Sequence, residues 1–177
     1  SYAAIKQRLF TWPGLKNAVI NADDKTGASW FGILQSGVRP IAVTQDVELD
    51  GIETLVASNV TMTPEGIGFD VDSPEGSLRL ESSLMGEFNV DNLLLCLAVL
   101  TTTGLSLQQA AGRLKTVTSA PGRMECLTAK GLPRVVVDYA HTPDALEKVL
   151  LSLQSHYTGP NRLIVVFGCG GERDQGK

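Results

Sequence analysis

Apolar residues in the first half of the chain follow the patterns of strands more than of helices. Short apolar runs at 18–21 and 40–44 each end at polar or turn-forming residues, which is typical of buried strands. Asp24 stands where it can cap a helix running to about residue 34. From 53 to 80 the pattern becomes a rough alternation interrupted by TPEG and SPEG turns, which predicts an antiparallel meander.

Helical spacing replaces this alternation in the second half of the chain. The apolar residues between 88 and 100 form one broad helical face that ends at Gly104, and Ser106 caps a second helix through residue 114. A loop at 116–122 follows and is rich in Thr, Ser, Pro and Gly. This composition makes the loop the best candidate for a domain linker.

The residues after this loop predict an α/β crossover. Segments 124–128 and 134–138 pair as a hairpin, and Thr142 caps a helix that has proline at its first position and runs to about residue 156. The fully apolar run 163–167 then predicts a strand of a parallel sheet that is covered on both faces. The chain as a whole therefore predicts an α/β fold.

Composition and charge exclude several classes of function. The 177 residues are 43% hydrophobic and 19% charged, as in a folded globular protein, and the formal net charge is -4. No cluster of Lys and Arg offers a surface for nucleic acid or for an anionic membrane. No apolar stretch is long enough to span a bilayer and no signal peptide opens the chain, so we expect a cytoplasmic protein. The three scattered cysteines predict neither a disulfide framework nor a zinc site.

One pattern in the last residues matches a phosphate-binding loop. Residues 171–177 follow an apolar run and fit GxxxxGK without the final Ser or Thr. Such loops bind phosphate through converging backbone N–H groups, which small residues permit. Here the intervening residues are large and two are acidic, so the pattern disfavours a phosphate site.

A stronger candidate site lies in the segment VDYAHTPDALE, 137–147. A strand delivers Asp138 and His141 to its C-terminal tip, just before a helix N-terminus. Sheets of α/β proteins usually bind ligands at this edge, and a helix N-terminus favours an anion. The alternative is that both side chains only cap and pin the turn, and the local spacing leaves these two interpretations equally open.

Two further segments offer polar groups to a ligand. In GEFNVDN, 86–92, Asn89 and Asn92 lie on adjacent turns at the start of a helix. An amide there either caps the helix, which is the more common use, or hydrogen-bonds a flat heterocycle. Arg123, just beyond the loop, is either an ordinary surface residue or a hinge arginine that reaches a nucleotide between domains.

Taken in order, these segments resemble the Mur ligase family. The match consists of YAAxK, NADD, GxFNxxN, PGRME, VDYAHTPDALE and FGCGGERDQGK, and it is weakest in the meander. Within the family the chain is most similar to the UDP-N-acetylmuramoyl-tripeptide synthetases. The resemblance implies that residues 1–121 are the C-terminal part of the central ATPase domain, and that 122–177 begin the Rossmann-like C-terminal domain. In that family the tail continues with an arginine, which removes the phosphate-loop interpretation.

The resemblance implies an ATP-dependent ligase of peptidoglycan synthesis. Its partners would be UDP-N-acetylmuramoyl-L-alanyl-D-glutamate and a diamino acid, with meso-diaminopimelate favoured over lysine. The dipeptide carboxylate would attack the γ-phosphate of ATP, and the amine of the diamino acid would displace phosphate from the resulting acyl phosphate. Both ends of the chain look cut, and the phosphate cradle and amino-acid pocket of the family are missing. We therefore expect a fragment of a monomeric enzyme that is inactive alone.

The resemblance also assigns residues to an ATP site. Asn89 and Asn92 match the segment that lies beside the adenine, with Asn92 as the stronger choice. Arg123, Asp138 and His141 match positions that approach ATP when the C-terminal domain closes. The reaction needs phosphate charge to be neutralised and the nucleophile to be aligned, so it requires no catalytic triad.

A magnesium ligand is implied at Lys6. This residue matches the lysine that the family carbamylates, which converts an amine into a carboxylate, a hard oxygen ligand for Mg²⁺. On local sequence alone Lys6 is an ordinary helix-surface lysine. The Mg²⁺ expectation therefore depends on the YAAxK match.

Two alternatives stay open at this stage. A folylpolyglutamate-synthetase-like ligase shares the architecture and a related Asp-to-His turn, but typically with a DGAHNP-like form in place of DYAHTP. A non-catalytic nucleotide-binding or interaction module would instead bind ATP tightly by itself.

Overall fold

A mixed five-stranded sheet organises the first two thirds of the chain. The computed structural model describes residues 2–46, 48–157 and 162–168. The strands lie in the order β1 (Asn17–Asn21), β2 (Arg39–Thr44), β3 (Glu53–Thr63), β4 (Gly66–Ser73) and β5 (Gly76–Ser82). The β1–β2 and β2–β3 pairs are parallel, and the β3–β4 and β4–β5 pairs are antiparallel. The predicted meander is confirmed, and β3 joins it to the parallel half of the sheet.

The α-helices in the described part of the chain are α1 (Tyr2–Gln7), α2 (Lys25–Ser29), α3 (Phe88–Thr102), α4 (Leu107–Leu114) and α5 (Pro143–His156). Three of them, α2, α4 and α5, begin at the predicted caps Asp24, Ser106 and Thr142, while α3 has no side-chain cap. Asp24 accepts the Gly27 N–H (2.7 Å), and Ser106 forms a capping box with Gln109. The helix predicted to residue 34 is shorter than expected, because a 3-10 helix (Trp30–Ile33) replaces its second half. None of the described helices is long and apolar enough to cross a membrane.

The core lies between this sheet and the pair α3 and α4. Its largest fully buried side chains come from both layers: Phe69 and Leu80 from the sheet, Leu94 and Leu97 from α3, and Leu107 from α4. Full burial of each such side chain stabilises the fold by about 1.5–3 kcal/mol. Val90 in the first turn of α3 is also fully buried in this core, so the start of α3 is fixed against the sheet. We call residues 2–114 the larger unit.

A smaller assembly follows the loop, and we call residues 122–157 the hairpin unit. Strands β6 (Glu125–Leu127) and β7 (Val135–Val137) form a two-stranded antiparallel sheet, as predicted, and α5 follows. Met85 of the larger unit packs with Met124 and Leu153 of the hairpin unit in a second, smaller cluster. The α/β class is confirmed, while the domain boundary at residue 121 stays a prediction.

The apolar run 163–167 does not form the predicted buried strand. Its five residues have no regular secondary structure, and their exposed fractions range from 42% to 94%. A strand that is buried on both faces needs neighbouring strands and covering helices. Within the described residues β7 pairs with β6 and no strand lies beside 163–167, so the prediction is wrong for this structure. The GxxxxGK pattern at 171–177 and Cys169 lie outside the described residues.

Candidate functional site

A cleft of about 540 Å³ lies between the larger unit and the hairpin unit. Its walls are the first turns of α3, the end of the loop before β6, and the turn between β7 and α5 with the helical turns that follow. Most of the site residues predicted from the sequence line it: Asn89, Asn92, Arg123, Asp138 and His141. Residues that are far apart in the chain are therefore brought together.

Asn89 and Asn92 form the α3 wall of the cleft. Asn89 Nδ2 donates a hydrogen bond to the Met85 carbonyl (2.7 Å), and Asn92 Nδ2 donates to Asn89 Oδ1 (3.0 Å). These bonds leave the exposed Asn92 Oδ1 without a hydrogen bond to any residue in the described ranges. Glu87 occupies the N-cap position and no side chain caps α3, so capping is not the use of either asparagine.

Arg123 lies over an aromatic ring at the end of the loop. Its guanidinium carbon is 5.2 Å from the centroid of the Tyr139 ring, which is within the range of a cation–π contact. The adjoining turn is held by the Gly122 N–H, which donates to Glu125 Oε2 (2.8 Å). The buried Met124 that follows has a φ of 48°, which is uncommon for a residue with a side chain. Arg123 is thus an exposed cation on a tightly held turn.

Asp138 connects the segment before β6 to the turn after β7. Its Oδ2 accepts the Met124 N–H (2.8 Å), and its Oδ1 accepts the Ala140 N–H (2.7 Å). One carboxylate therefore fixes both the entry to β6 and the turn after β7. These contacts are the turn-pinning role that the local spacing had left open, and a direct role toward ATP stays a prediction.

His141 is exposed and less constrained than Asp138. Its Nδ1 lies 3.1 Å from the Tyr139 carbonyl oxygen, and its ring packs edge-on against the Tyr139 ring with centroids 5.3 Å apart. The cap of α5 is provided by Thr142, whose Oγ1 accepts the Ala145 N–H (3.3 Å). His141 therefore does not cap the helix, and its Nε2 makes no hydrogen bond within the described residues.

Phe88 and Lys148 also line the cleft, although no sequence signal marked them. Phe88 was assigned to the apolar face of α3, yet 47% of it is exposed. Lys148 is paired with Asp144 (3.0 Å) on the exposed side of α5 and reads as an ordinary helix-surface lysine. Both belong to the cleft only because α5 packs beside the start of α3, which no local pattern encodes.

Lys6 lies apart from the cleft, on the exposed helix α1. Its Nζ is 4.8 Å from the centroid of the Tyr2 ring, and it is not among the lining residues. The described ranges contain no group of three His, Cys, Asp or Glu side chains that could hold a metal ion. Carbamylation of Lys6 and its contact with Mg²⁺ stay predictions.

Comparison with known proteins relates both units to one family. Residues 1–100 match the Mur ligase middle domain, and residues 122–177 match the Mur ligase, glutamate ligase domain. The whole chain is 41% identical over 182 residues to the UDP-N-acetylmuramoyl-L-alanyl-D-glutamate--2,6-diaminopimelate ligase of Janthinobacterium sp. (strain Marseille), and covers 36% of that protein. It is 44% identical over 177 residues to the protein of the same name from Vibrio vulnificus (strain YJ016), and covers 35% of it.

A solved structure agrees with these relatives. The structure of a UDP-N-acetylmuramoyl-L-alanyl-D-glutamate--2,6-diaminopimelate ligase superposes with a TM-score of 0.78 at 35% sequence identity, and covers 98% of this chain and 35% of that one. The chain thus spans about a third of the length of the relatives it matches. Because the middle-domain match alone covers more than half of the 177 residues, and relatives align along the whole chain, the protein belongs to the Mur ligase family.

Proposed function

We propose that the complete gene product containing these residues is an ATP-dependent ligase of peptidoglycan synthesis. It would join meso-diaminopimelate to UDP-N-acetylmuramoyl-L-alanyl-D-glutamate, as the names of the relatives at 41% and 44% identity suggest. The observation that carries the proposal is the cleft in which α3, the loop and the β7–α5 turn bring their polar residues together. We further propose that the protein acts as a monomer in the cytoplasm.

The chemistry of the cleft suits a nucleotide. Its volume of about 540 Å³ falls within the range of about 300–1,000 Å³ that is usual for ligand pockets. Phe88 and Tyr139 offer flat apolar faces to a base, and the Asn92 Oδ1 offers an acceptor to an exocyclic amine. Arg123 and Lys148 supply positive charge for phosphate groups. Each of these properties supports ATP as the co-substrate.

In the proposed reaction the residues of this chain bind and orient ATP. Asp138 keeps the loop and the β7–α5 turn in register, so that Arg123 and His141 are presented to the phosphates from one surface. The N-terminus of the 14-residue helix α5 adds a favourable field for negative charge. The carboxylate of the dipeptide attacks the γ-phosphate and displaces ADP, and the amine of the diamino acid then displaces phosphate from the acyl phosphate. Alignment and charge neutralisation supply most of the acceleration.

Magnesium is proposed for the complete protein only. Lys6 is exposed and its Nζ lies over Tyr2, and the described residues contain no group of three His, Cys, Asp or Glu side chains that could hold a metal ion. These residues alone do not fit a magnesium centre, so no step is assigned to the ion. A carbamylated Lys6 as one of its ligands remains a proposal that rests on the YAAxK segment.

The names of the relatives favour some of the alternative functions over others. The names at 41% and 44% identity support diaminopimelate over lysine, and a cell-wall ligase over a folylpolyglutamate-synthetase-like enzyme. A non-catalytic module is the second candidate, and it predicts ATP binding without turnover.

The test is a ligation assay on the complete gene product. Purified protein is supplied with ATP, Mg²⁺, UDP-N-acetylmuramoyl-L-alanyl-D-glutamate and either meso-diaminopimelate or lysine, and phosphate release and the tripeptide product are measured. We expect turnover that depends on meso-diaminopimelate. Turnover with lysine alone would contradict the substrate, and ATP binding without turnover would favour the module.

A pair of amide variants tests the site itself. Asn92→Ala removes the free acceptor of the α3 wall, so we expect the KM for ATP to rise about tenfold. Gln108→Ala removes an exposed amide from α4, outside the cleft, and should leave the KM unchanged. Equal KM values for the two variants would contradict the assignment of Asn92.

A further inference from the structure

His156, the last residue of α5, joins the hairpin unit to the larger unit. It is 1% exposed, its Nδ1 lies 2.7 Å from the Thr63 carbonyl oxygen, and its Nε2 lies 2.8 Å from the Gly86 nitrogen. A carbonyl oxygen only accepts and a backbone N–H only donates. The ring hydrogen must therefore be on Nδ1, and Nε2 must be unprotonated. The two contacts therefore select one neutral tautomer.

Gly86 connects His156 to the cleft. The Gly86 carbonyl accepts the Asn89 N–H (2.9 Å), and Asn89 in turn accepts a hydrogen bond from Asn92 (3.0 Å). His156 itself is not among the residues that line the cleft. It therefore acts on the α3 wall through the backbone and does not touch the ligand site.

The rest of α5 holds the same segment in place. Ser152 Oγ accepts the Glu87 N–H (3.3 Å), and Leu153 packs with Met85. A Cβ built on Gly86 would lie 3.0 Å from Ser152 Oγ, so the helix rests directly on the glycine backbone. Gly86 also has a φ of 98°, which glycine adopts without strain. The contact thus depends on a close approach of backbone and helix.

The other end of α5 forms part of the opposite wall of the cleft. Ala145, Lys148 and Val149 line the cleft, and His156 lies about 16 Å from Ala145 along the helix at 1.5 Å per residue. Because an α-helix is stiff over this length, a movement of α5 at His156 also moves the wall of the cleft that Ala145, Lys148 and Val149 form.

We propose that neutral His156 is a positioning residue that holds α5 against the start of α3 and so sets the separation of the two walls of the cleft. The inference rests on the proposed ATP function of that cleft. Protonation of the ring would place an N–H on Nε2, facing the Gly86 N–H. Two donors cannot bond each other, so acid releases α5 from α3 and weakens ATP binding.

Other charged groups lie on the segments that His156 joins. Glu65 and Glu87 follow its two backbone partners in the chain, and both are exposed to solvent. On the hairpin, the nearby Tyr157 hydroxyl raises the pKa of Arg134, which therefore remains a cation throughout the range in which imidazole titrates. A guanidinium only donates, and the two carboxylates are exposed to solvent whereas Gly86 is buried.

The test uses two variants of His156 in the complete gene product. His156→Phe keeps a ring but leaves the Gly86 N–H and the Thr63 carbonyl unpaired, so we expect the Kd for ATP to rise about tenfold. His156→Gln keeps one donor and one acceptor and does not titrate, so its Kd at about pH 8 should be within about threefold of the wild type. Circular dichroism verifies that each variant folds, and calorimetry measures the Kd.

A pH series separates the positioning role from a merely structural one. As the pH is lowered from about 8, the wild type should lose ATP affinity more steeply than His156→Gln. Every group other than the side chain at position 156 is common to the two proteins, so the contribution of those groups cancels in the difference. Gln154→Ala, an exposed substitution on the same helix, should behave as the wild type at every pH.

Hydrogen exchange at the Gly86 amide reports the contact without nucleotide. Exchange should be slow in the wild type and fast in His156→Phe. A folded Phe variant with fast Gly86 exchange and unchanged ATP affinity would overturn the proposal, and so would equal pH dependences of the wild type and the Gln variant. If His156→Phe does not fold, the pH comparison decides. A wild-type protein that does not bind ATP would refute the proposed function itself, and the positioning role with it.

Discussion

At the scale of single residues, Asp138 and His141 illustrate two different uses of neighbouring polar side chains. Asp138 is half-buried, and both of its oxygens accept backbone N–H groups, from Met124 and from Ala140. His141 is exposed, and both its hydrogen bond and its ring contact are with Tyr139. A substitution of Asp138 should therefore lower the stability of the fold, whereas a substitution of His141 should lower the affinity for ATP.

The first prediction concerns Asp138→Asn. The substitution replaces one acceptor oxygen by an N–H donor, which leaves one of the two backbone N–H groups unpaired. We expect the free energy of unfolding to fall by about 1–2 kcal/mol, measured by urea denaturation.

His141→Ala is the matched comparison for Asp138→Asn. Its free energy of unfolding should change by less than about 0.5 kcal/mol, because the side chain is exposed, while its affinity for ATP falls. Equal stabilities of the two variants would contradict the turn-pinning role of Asp138.

Residue patterns predicted contacts within one turn better than contacts across the cleft. Asp24, Ser106 and Thr142 each cap the helix that the sequence predicted, because a cap involves residues only two or three positions away. Lys148 and Phe88 could not be placed in the site, because their position depends on how α5 packs beside α3. The prediction that the site residues lie close together in space likewise depended on the family resemblance, because their spacing in the sequence does not indicate it.

At the scale of elements, the meander is held by one polar cluster as well as by its ladder. A bulge in β3 places Asn59 at a φ of 49°, and its Nδ2 donates to Asp70 Oδ2 (2.8 Å). Arg79 on β5 donates to Asp70 Oδ1 (3.1 Å) and to the Asn59 carbonyl (2.8 Å). Asp70 on β4 therefore links three strands at the bulge.

The second prediction is a pH dependence that belongs to this cluster. The hydrogen bonds from Asn59 and Arg79 hold the pKa of Asp70 below its ordinary value of 3.8. A carboxyl whose pKa is lower in the folded state binds fewer protons when folded, so its stabilisation is present above 3.8 and is lost as the pH falls through the folded value. Asp70→Asn should therefore flatten the acid end of the stability curve.

Urea unfolding at a series of pH values measures this effect. Asp72→Asn on the same strand is the control, because Asp72 is exposed and accepts a hydrogen bond from the neutral Ser77 hydroxyl. An acid limb that is unchanged in Asp70→Asn, or flattened equally in Asp72→Asn, would contradict the assignment.

Elements with local partners were predictable and those with distant partners were not. The TPEG and SPEG turns specify the β3–β4 and β4–β5 pairings, because each hairpin joins neighbouring segments. The parallel pairing of β2 with β3 had no such signal, since it depends on the order of the sheet. The run 163–167 has the composition of a buried strand, but burial is decided by the neighbours that a strand finds, and here the described residues supply none.

At the scale of the whole molecule, the cleft depends on a small contact between two unequal units. The larger unit has an extensive core, whereas β6 and β7 have three residues each and α5 buries only Leu153 and His156. A two-stranded hairpin is marginally stable by itself. The hairpin unit therefore takes much of its stability from the cluster that Leu153 forms with Met85 and Met124.

The third prediction is that Leu153→Ala uncouples the two units. The side chain is 6% exposed, so its truncation leaves a cavity in the cluster, and a buried Leu→Ala substitution costs about 2–5 kcal/mol. This loss of stability should affect mainly the hairpin unit, which has the smaller core. We expect backbone amides in 122–157 to exchange faster with deuterium while those of α3 and β4 keep their protection, as measured by mass spectrometry.

Leu151→Ala on the same helix is the control, because 59% of Leu151 is exposed and its removal should leave both units unchanged. If the α3 and β4 amides lose protection together with the hairpin unit, the two units unfold as one cooperative body, and the cleft is then as stable as the core.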